Sequence, residues 1–313
     1  MTLDIVSLGE CMIELFSEKS MAESRYFEKS FAGDTLNVIA AASKLGSKVG
    51  YITKIGGDPF GDYLLENWKA LDINTSNVII EPYGFNGLYF IILKPEDERE
   101  FIYYRKDSAP STITPKDLRP EYIKSAKIFH TSGISQAISD SSKETVKTAL
   151  EIAKDAGVKT SFDPNFRQKL WPAEKAKEAL KDVIEFIDII FPSAPQETEK
   201  LLGISSPEDV IKKFWDFGVE IVCVKTGCKG AVIGYNGEIR KVSQKLKVEA
   251  KDTTGTGDAF CGAFLNSLLE EENPFKAAEI ANTVAALKTL GRGAIKPLPD
   301  KETLEKTLKT LQV

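Results

Sequence analysis

Two glycines stand directly before a predicted helix in residues 252–258, which read DTTGTGD. Glycine lets the backbone turn so that successive N–H groups face one point, and the helix N-terminus adds partial positive charge there. Such a turn suits an anionic oxygen, above all a phosphate or a developing phosphoryl charge. Asp258 stands at its mouth, where a carboxylate is costly unless it takes a proton, so we predict a general base toward a substrate hydroxyl. An ordinary helix cap is the alternative role.

Two further polar segments leave the ends of predicted strands, where open α/β sheets bind ligands. Residues 225–230 read KTGCKG and form a glycine-bearing turn, while residues 163–171 read DPNFRQKLW and present an amide, an arginine and a lysine. For Arg167, an ion pair with the core is an equal alternative to ligand binding. The chain lacks the pattern GxxxxGK[S/T] and has no GxGxxG after its first strand, which disfavours P-loop enzymes and nicotinamide dehydrogenases.

Residues 87–93 (GLYFIIL) and 101–105 (FIYYR) are predicted to form a β-hairpin around a polar turn at 95–98. Strand alternation places Tyr103 and Arg105 on one face, together with Phe101. An arginine and a tyrosine that face the same way suit recognition of a carboxylate and hydroxyls. An amphipathic hairpin at a sheet edge fits the pattern equally well.

Composition excludes several classes of protein. The chain has 313 residues with 41 Lys+Arg and 46 Asp+Glu, a net charge of −5, so it lacks the basic surplus of a nucleic-acid-binding protein. An anionic substrate would therefore need positive charge placed locally. The sequence has no membrane-spanning apolar run and no secretion signal. The four cysteines show no CxxC spacing and are predicted to be reduced and mostly buried in a cytoplasmic protein. The single histidine, His130, is predicted to be a partly buried strand residue.

The order of predicted elements indicates how these segments are positioned. Strands are predicted at residues 3–8, 12–16, 49–55, 127–131, 158–162, 187–191, 220–225 and 231–235, in addition to the hairpin. Helices are predicted at residues 36–45, 143–156, 173–186, 258–269 and 275–290, with another that begins at Ser206. Alternating strands and helices imply a parallel sheet covered on both faces, and the hairpin is predicted to be a small lid on that core.

Residues 252–258 resemble the signature of the ribokinase-like (pfkB) carbohydrate kinases, and residues 32–37 (AGDTLN) are similar to their N-terminal glycine motif, with Ala32 in place of one glycine. Within that family the resemblance is closest to the kinases of 2-keto-3-deoxygluconate. The remaining segments that carry it are residues 9–15, 87–89, 101–105, 132–134, 165–167, 170–171 and 292–294.

The resemblance implies an α/β fold, with a ribokinase-like three-layer α/β/α core, a mostly parallel sheet and a small β lid. It implies one kinase domain over residues 1–313, with the lid formed by segments near 12–34 and 84–107. The implied reaction is ATP-dependent phosphorylation of 2-keto-3-deoxygluconate to the 6-phosphate. Asp258 would deprotonate the primary hydroxyl of the sugar, and the amides of Gly255, Thr256 and Gly257 would stabilise the transferring phosphoryl group.

The resemblance also implies which residues bind each substrate. The sugar-binding residues would be Gly33, Asp34 and Asn37 from the core, Tyr89, Tyr103 and Arg105 from the lid, and Arg167, with Arg105 and Arg167 on the carboxylate. The ATP-binding residues would be Asn165, Ser193, Lys225, Thr226, Gly227 and Gly230, together with Gly255 and Gly257, and Asn282 would border the adenine. Mg²⁺ is expected with ATP. The usual Asn-x-x-Glu reads SAPQE at 193–197, which leaves Glu197 a weak candidate, so no metal ligand is assigned.

Two alternatives remain open. One is another pfkB sugar kinase, such as a fructokinase, a ribokinase or a nucleoside kinase, whose substrates carry no carboxylate. The other is a non-catalytic protein that binds sugar and regulates. We expect a small sugar acid as the partner, neither nucleic acid nor membrane, and a homo-oligomer that pairs through the exposed lid hairpin.

Overall fold

The computed structural model describes residues 2–93 and 99–311. Its strands are β1 (Leu3–Leu8), β2 (Met12–Ser17), β3 (Glu28–Ala32), β4 (Val49–Gly56), β5 (Ile73–Glu81), β6 (Leu88–Leu93), β7 (Arg99–Tyr104), β8 (Ala126–Ser132), β9 (Lys159–Asp163), β10 (Ile189–Ile190), β11 (Ile221–Lys225), β12 (Gly230–Tyr235) and β13 (Glu238–Ser243). Its α-helices are α1 (Asp34–Lys44), α2 (Pro59–Ala70), α3 (Pro120–Lys124), α4 (Gly133–Ala137), α5 (Asp140–Asp155), α6 (Ala173–Lys181), α7 (Gln196–Leu202), α8 (Pro207–Asp216), α9 (Thr256–Glu271), α10 (Pro274–Lys288) and α11 (Lys301–Leu311).

Nine strands form the main sheet in the order β13-β12-β11-β10-β9-β8-β1-β4-β5. All neighbouring pairs from β11 to β5 run parallel. β12 pairs antiparallel with both β11 and β13. Side chains that alternate along each strand feed two apolar cores: Ile5 belongs to one and its neighbour Val6 to the other. Helices α1, α9 and α10 contribute to the first core, whereas α5 and α8 contribute to the second. This confirms the predicted three-layer α/β/α core with a mostly parallel sheet.

A second sheet of four strands, in the order β3-β2-β6-β7, is called the small sheet below. β6 and β7 pair antiparallel with Tyr89 opposite Tyr103, so the predicted hairpin is confirmed for the strands. The two rings stack with centroids 5.5 Å apart, and Phe101 stacks on the same face. Tyr104 points to the other face, where its ring meets that of Phe90. The turn predicted at 95–98 lies outside the described residues.

Several predicted boundaries were wrong. The helix predicted over 173–186 ends at Lys181, and a short 3-10 turn occupies Ile184–Phe186, because β-branched Val183 and Ile184 disfavour the helix. The strand predicted at 187–191 shortens to two residues. α5 begins three residues earlier than predicted, where the Ser139 hydroxyl accepts a hydrogen bond from the Ser142 amide and caps the helix.

The strands that the sequence did not predict are β3, β5 and β13, and each is an outer strand of its sheet. Such strands face solvent and carry polar residues, so they lack the apolar run that identified the central strands. His130 is buried on β8 and bonded to Ser161 at 2.9 Å, and burial lowers its pKa to about 4. Of the four free cysteines three are buried, as predicted. Within the described part of the chain, no helix is long and apolar enough to cross a bilayer.

Candidate functional site

The carboxyl ends of β9 and β11 meet the N-terminal ends of α1 and α9 at one edge of the main sheet. β9 ends at Asp163 and β11 ends at Lys225, and the two side chains form a buried ion pair with an Nζ–Oδ2 distance of 2.5 Å. The Lys225 ammonium also lies 3.6 Å from the point where a Cβ on Gly257 would stand. The three polar segments that the sequence singled out therefore converge.

Residues 252–258, called the glycine turn below, lead into α9 through a left-handed residue. Gly255 has φ +71° and caps the helix, and a Cβ at this position would stand 2.7 Å from the Cβ of Ala294. Both the backbone conformation and the close packing therefore require glycine. The first-turn amides of α9 have no acceptor within the helix, although the Thr256 amide donates a 3.2 Å hydrogen bond to the Thr253 carbonyl in the turn. The Thr256 hydroxyl is buried and has no hydrogen-bond partner among the described residues. A polar ligand at the turn could therefore pair with this hydroxyl.

Asp258 lies in the first turn of α9 and is only 9% exposed. The Asn37 side-chain amide, 221 residues away in the chain, donates a 2.8 Å hydrogen bond to its carboxylate. Burial, with the nearby charges of Asp34 and Asp163, raises the pKa of Asp258 to about 7, although Asn37 and Lys225 act in the opposite direction. A carboxylate that titrates near neutrality is suited to accept a proton from a hydroxyl.

A cavity of about 700 Å³ opens between the small sheet and the core, and it is lined by Asp34, whose charge acts on Asp258. Its lining residues are Glu10, Met12, Gly33, Asp34, Phe85, Tyr103, Tyr104, Arg105, Lys106, Ile134, Phe166, Arg167, Gln168, Lys169 and Leu170. The Asn165 side chain, which donates to Asp34 at 3.3 Å, joins this cavity to the end of β9. Burial raises the pKa of Asp34. Sugar-sized ligands would therefore have room between Asp34 and the small sheet.

The two arginines predicted to bind a carboxylate have different surroundings. Arg105 forms a buried ion pair with Glu10, and burial lowers the pKa of Arg105 to about 10. Arg167 is exposed at the cavity and donates a long 3.5 Å hydrogen bond to the carbonyl of Phe166. Among the described residues Arg167 forms no direct ion pair, but its charge acts on Asp34 at the same cavity and opposes the rise in the pKa of Asp34. Sequence reasoning missed the role of Glu10, although its place directly after the first strand could have pointed to it.

Tyr89 lies under Tyr103 rather than on the cavity wall. Its hydroxyl donates to the buried carboxylate of Glu14, which also accepts a 2.7 Å hydrogen bond from Ser30. Burial and the Glu14 charge raise the pKa of Tyr89. Tyr103, by contrast, is 43% exposed and stacks on Tyr89, with the Arg105 guanidinium 5.9 Å from its ring centre. The buried tyrosine therefore supports the exposed one.

The remaining predicted residues are Ser193, the residues of the turn after β11, and Asn282. Ser193 pairs with Lys225 in an isolated parallel bridge. In the turn after β11, the Thr226 hydroxyl donates to the Gly230 carbonyl at 2.9 Å, and Gly227 and Gly230 have positive φ angles of 64° and 103°. A Cβ on Gly230 would stand 3.1 Å from the side-chain nitrogen of Asn282. These contacts link Ser193 to Lys225 and the turn after β11 to Asn282.

The acids near these residues are committed to the protein itself. Glu197 accepts hydrogen bonds from the amides of Phe166 at 2.6 Å and Ser193 at 2.7 Å, and burial raises its pKa. Asp163 is paired with Lys225. In residues 2–93 and 99–311, no group of three His, Cys, Asp or Glu side chains could hold a metal ion. The residues present do not fit a dedicated magnesium site, and Glu197 instead ties two segments of the sheet edge together.

Residues 2–301 match the family model described as pfkB family carbohydrate kinase. The chain is 36% identical to probable fructokinase-5 of Arabidopsis thaliana over 98% of this chain and 97% of that one. It is 33% identical to 2-dehydro-3-deoxygluconokinase of Thermoproteus tenax over 99% and 95%. A solved structure of a putative ribokinase II from E. coli, in complex with ATP and Mg²⁺, superposes with a TM-score of 0.90 at 27% identity and covers 98% of this chain and 99% of that one. The chain is therefore a sugar kinase and belongs to the pfkB family of carbohydrate kinases.

Proposed function

We propose that this kinase phosphorylates 2-keto-3-deoxygluconate with ATP and forms the 6-phosphate. The observation that carries the proposal is Arg167, an exposed guanidinium at the cavity that forms no direct ion pair among the described residues, although its charge also acts on Asp34. A planar guanidinium binds a carboxylate through two parallel hydrogen bonds, a geometry that lysine cannot offer. A neutral sugar would leave this group without an ion-pair partner.

The charge of the cavity supports the same conclusion. The lining contains four cations and two acids, namely Arg105, Lys106, Arg167 and Lys169 against Glu10 and Asp34. The chain as a whole carries a net charge of −5, so this positive surplus is local. Local positive charge raises the concentration of an anionic substrate at the cavity. Because Glu10 already neutralises Arg105, Arg167 is the principal residue that binds the substrate carboxylate, and Arg105 is an auxiliary one.

In the proposed reaction, Asp258 takes the proton of the acceptor hydroxyl, which attacks the γ-phosphorus of ATP. Asn37 holds the Asp258 carboxylate in place. Asn37 also binds sugar hydroxyls, together with Gly33 and Asp34. Tyr103 covers the sugar from the small sheet and is supported by Tyr89. The N–H groups of residues 255–257 stabilise the negative charge that develops on the transferring group.

ATP would lie along the surface on the far side of Gly257. The residues proposed to line it are Asn165, Ser193, Lys225, Thr226, Gly227, Gly230 and Asn282. The ATP and Mg²⁺ complex of the E. coli relative supports this use of nucleotide. Because no group of three His, Cys, Asp or Glu side chains among the described residues could hold a metal ion, we expect magnesium to enter bound to the phosphates of ATP.

A fructokinase is the second candidate. It is favoured by the 36% identity to a probable fructokinase of Arabidopsis thaliana, which is slightly higher than the 33% identity to the 2-dehydro-3-deoxygluconokinase. The pairing of Arg105 with Glu10 also fits a neutral substrate, because it leaves only one arginine for a carboxylate.

An ADP-release assay on a panel of sugars tests the proposal. We expect kcat/KM for 2-keto-3-deoxygluconate to exceed that for fructose and for ribose by at least about tenfold, because a single charged hydrogen bond contributes about 1.5–3 kcal/mol. If fructose or ribose reacts faster than the keto acid, the substrate assignment is wrong while the family membership stands.

A matched pair of variants tests the carrying observation. Arg167→Met should raise KM for the keto acid by about 10–150-fold and leave kcat nearly constant, because the lost contact costs about 1.5–3 kcal/mol. Lys169→Met removes a neighbouring charge from the same cavity and should change KM by less than about threefold. Equal effects of the two variants would mean that only long-range attraction is at work.

We also propose that the chain forms a homo-oligomer through the small sheet. β7 is an outer strand of that sheet, and Tyr104, whose ring packs with Phe90 on the face opposite Tyr103 while the residue also borders the cavity, is 60% exposed. An open strand and an exposed ring favour pairing with a second copy. Sedimentation of the wild type should give a dimer or larger species, and Tyr104→Ser should shift it toward monomer. A monomeric wild type at micromolar concentration contradicts the proposal.

A further inference from the structure

Lys288 is the last residue of α10 and is wholly buried, with 0% exposure. Lysines in the last turn of other helices, such as Lys69 and Lys154, are exposed, as is usual for a cation that complements the helix dipole. A buried ammonium is costly unless the fold gives it partners. The favourable end of a helix therefore does not by itself account for this residue.

The Lys288 ammonium donates a 2.9 Å hydrogen bond to the main-chain oxygen of Asp252, the first residue of the glycine turn. The chain between Asp252 and Gly255 spans at most about 11 Å, so this charge lies close to the turn. The Thr289 carbonyl, next to Lys288, accepts hydrogen bonds from the amides of Lys251 and Asp252 at 2.8 and 3.1 Å. Three hydrogen bonds thus connect the end of α10 to the start of the turn.

The Asp252 carboxylate extends the same arrangement forward. It accepts a 2.8 Å hydrogen bond from the amide of Thr254 within the turn and another of 2.8 Å from the amide of Gly293. The segment that contains Gly293 also supplies Ala294, which packs against Gly255. Both sides of Asp252 are therefore used to fix the backbone that precedes the anion-binding amides.

We propose that Lys288 is a positioning residue for phosphoryl transfer, whose buried ammonium holds the glycine turn in its anion-binding conformation and places positive charge close to it. It touches neither substrate and acts through the backbone of residues 252–257. This inference rests on the proposed phosphoryl transfer at that turn. Preorganised N–H groups stabilise developing charge only if the backbone that carries them does not need to rearrange during the reaction.

The test compares Lys288→Met with Lys44→Met. Lys44 is also the last residue of its helix, and its ammonium donates a 3.1 Å hydrogen bond to a main-chain oxygen, that of Leu298, away from the turn. We expect Lys288→Met to lower kcat by about 10–100-fold with KM for the sugar changed less than about twofold. Lys44→Met should keep kcat within about twofold of the wild type. Amide hydrogen exchange in residues 248–260 should accelerate only in Lys288→Met.

If kcat of Lys288→Met stays within twofold of that of Lys44→Met, Lys288 is merely structural and the proposal is overturned. If Lys288→Met does not fold, Lys288→Gln decides instead, because it keeps an N–H donor without the charge and must still lower kcat at least about fivefold. If the wild type transfers phosphate to no sugar, the proposed function fails. Amide exchange then decides the role of Lys288 separately, and equal exchange in the Met variants would overturn it.

Discussion

The glycine turn, called the core wall below, and the small sheet, called the sheet wall, are held in place by different interactions. On the core side, hydrogen bonds from Asn37, Lys288 and Gly293, which come from separate segments, fix the glycine turn through buried contacts. On the other side, the small sheet offers stacked rings and one buried ion pair, while Tyr103 and Tyr104 remain 43% and 60% exposed. The core wall is therefore rigid and the sheet wall is only partly packed.

This difference separates chemistry from recognition. Phosphoryl transfer to any sugar hydroxyl needs the same anion site and the same base, so those groups benefit from a rigid setting. The acceptor differs between sugar kinases, so the groups that recognise it can lie on a wall that tolerates change. We expect changes in the core wall to act on kcat and changes in the sheet wall to act on KM and on stability, while Arg167, which follows β9 of the main sheet, acts on KM.

The largest effect is expected at Asp258. Asp258→Asn keeps the shape of the side chain but removes the proton acceptor, and kcat should fall by about 10²–10⁴-fold, as measured by ADP release at saturating substrates. The affinity for ATP, measured by calorimetry, should change little. A decrease of less than tenfold would make Asp258 a helix cap. A wild type that binds both ligands without turnover would favour a regulator.

The same substitution should stabilise the protein at high pH. Because burial raises the pKa of Asp258 to about 7, the folded wild type holds a proton that the unfolded chain releases near pH 4, and stability is lost as pH rises from about 4 to 7. The amide that replaces the carboxylate carries no charge at any pH. At pH 8 we expect Asp258→Asn to be about 1–3 kcal/mol more stable in urea unfolding, and at pH 4 no more stable than the wild type. Equal stability of Asp258→Asn and the wild type at pH 8 would show that burial of the Asp258 carboxylate does not destabilise the fold.

The sheet wall is tested at Arg105. Arg105→Met leaves Glu10 buried without its partner, which should cost about 2–4 kcal/mol of stability in urea unfolding and leave kcat within a few-fold. Adding Glu10→Gln should recover part of the loss. The control is Arg292→Met, which breaks an exposed pair with Glu18 and should cost less than about 1 kcal/mol. If Arg105→Met lowers kcat as strongly as Asp258→Asn, the two walls are not separate in function.

The sequence predicted the features that depend on neighbouring residues. The glycine turn and Asp258 lie within seven residues, and strand alternation predicted that Tyr103 and Arg105 share a face. Buried central strands such as β1, β4 and β11 were recognised from apolar runs. The layer architecture followed from the alternation of strands and helices.

Contacts between distant segments could not be predicted in the same way. The Asn37–Asp258 pair depends on the packing of helix α1 against α9, and the Arg105–Glu10 pair on the small sheet, whose order β3-β2-β6-β7 has no signature in local periodicity. Lys288 resembles any basic residue at the end of a helix until its burial is known. The sequence therefore predicted which groups lie near one another locally, whereas their distant partners required the fold.

The smallest expected effect concerns the pH dependence that these partners control. The carboxylate of Asp258 must be ionised to accept a proton, so kcat/KM should fall about tenfold per pH unit below pH 7, where its pKa lies. Asn37 donates to the ionised form and lowers that pKa. Asn37→Ala should therefore move the midpoint of the acid limb upward by as much as about one pH unit.

Asn165→Ala provides the contrast, because Asn165 donates to Asp34 rather than to Asp258. Loss of this hydrogen bond favours the protonated form of Asp34. Because the negative charge of Asp34 raises the pKa of Asp258, a protonated Asp34 raises it less. The midpoint of the acid limb should therefore stay or move downward. A pH series of kcat/KM for the three proteins decides the matter. If both variants shift the midpoint upward, the acid limb reports general damage to the site, and the hydrogen bond from Asn37 does not tune the base.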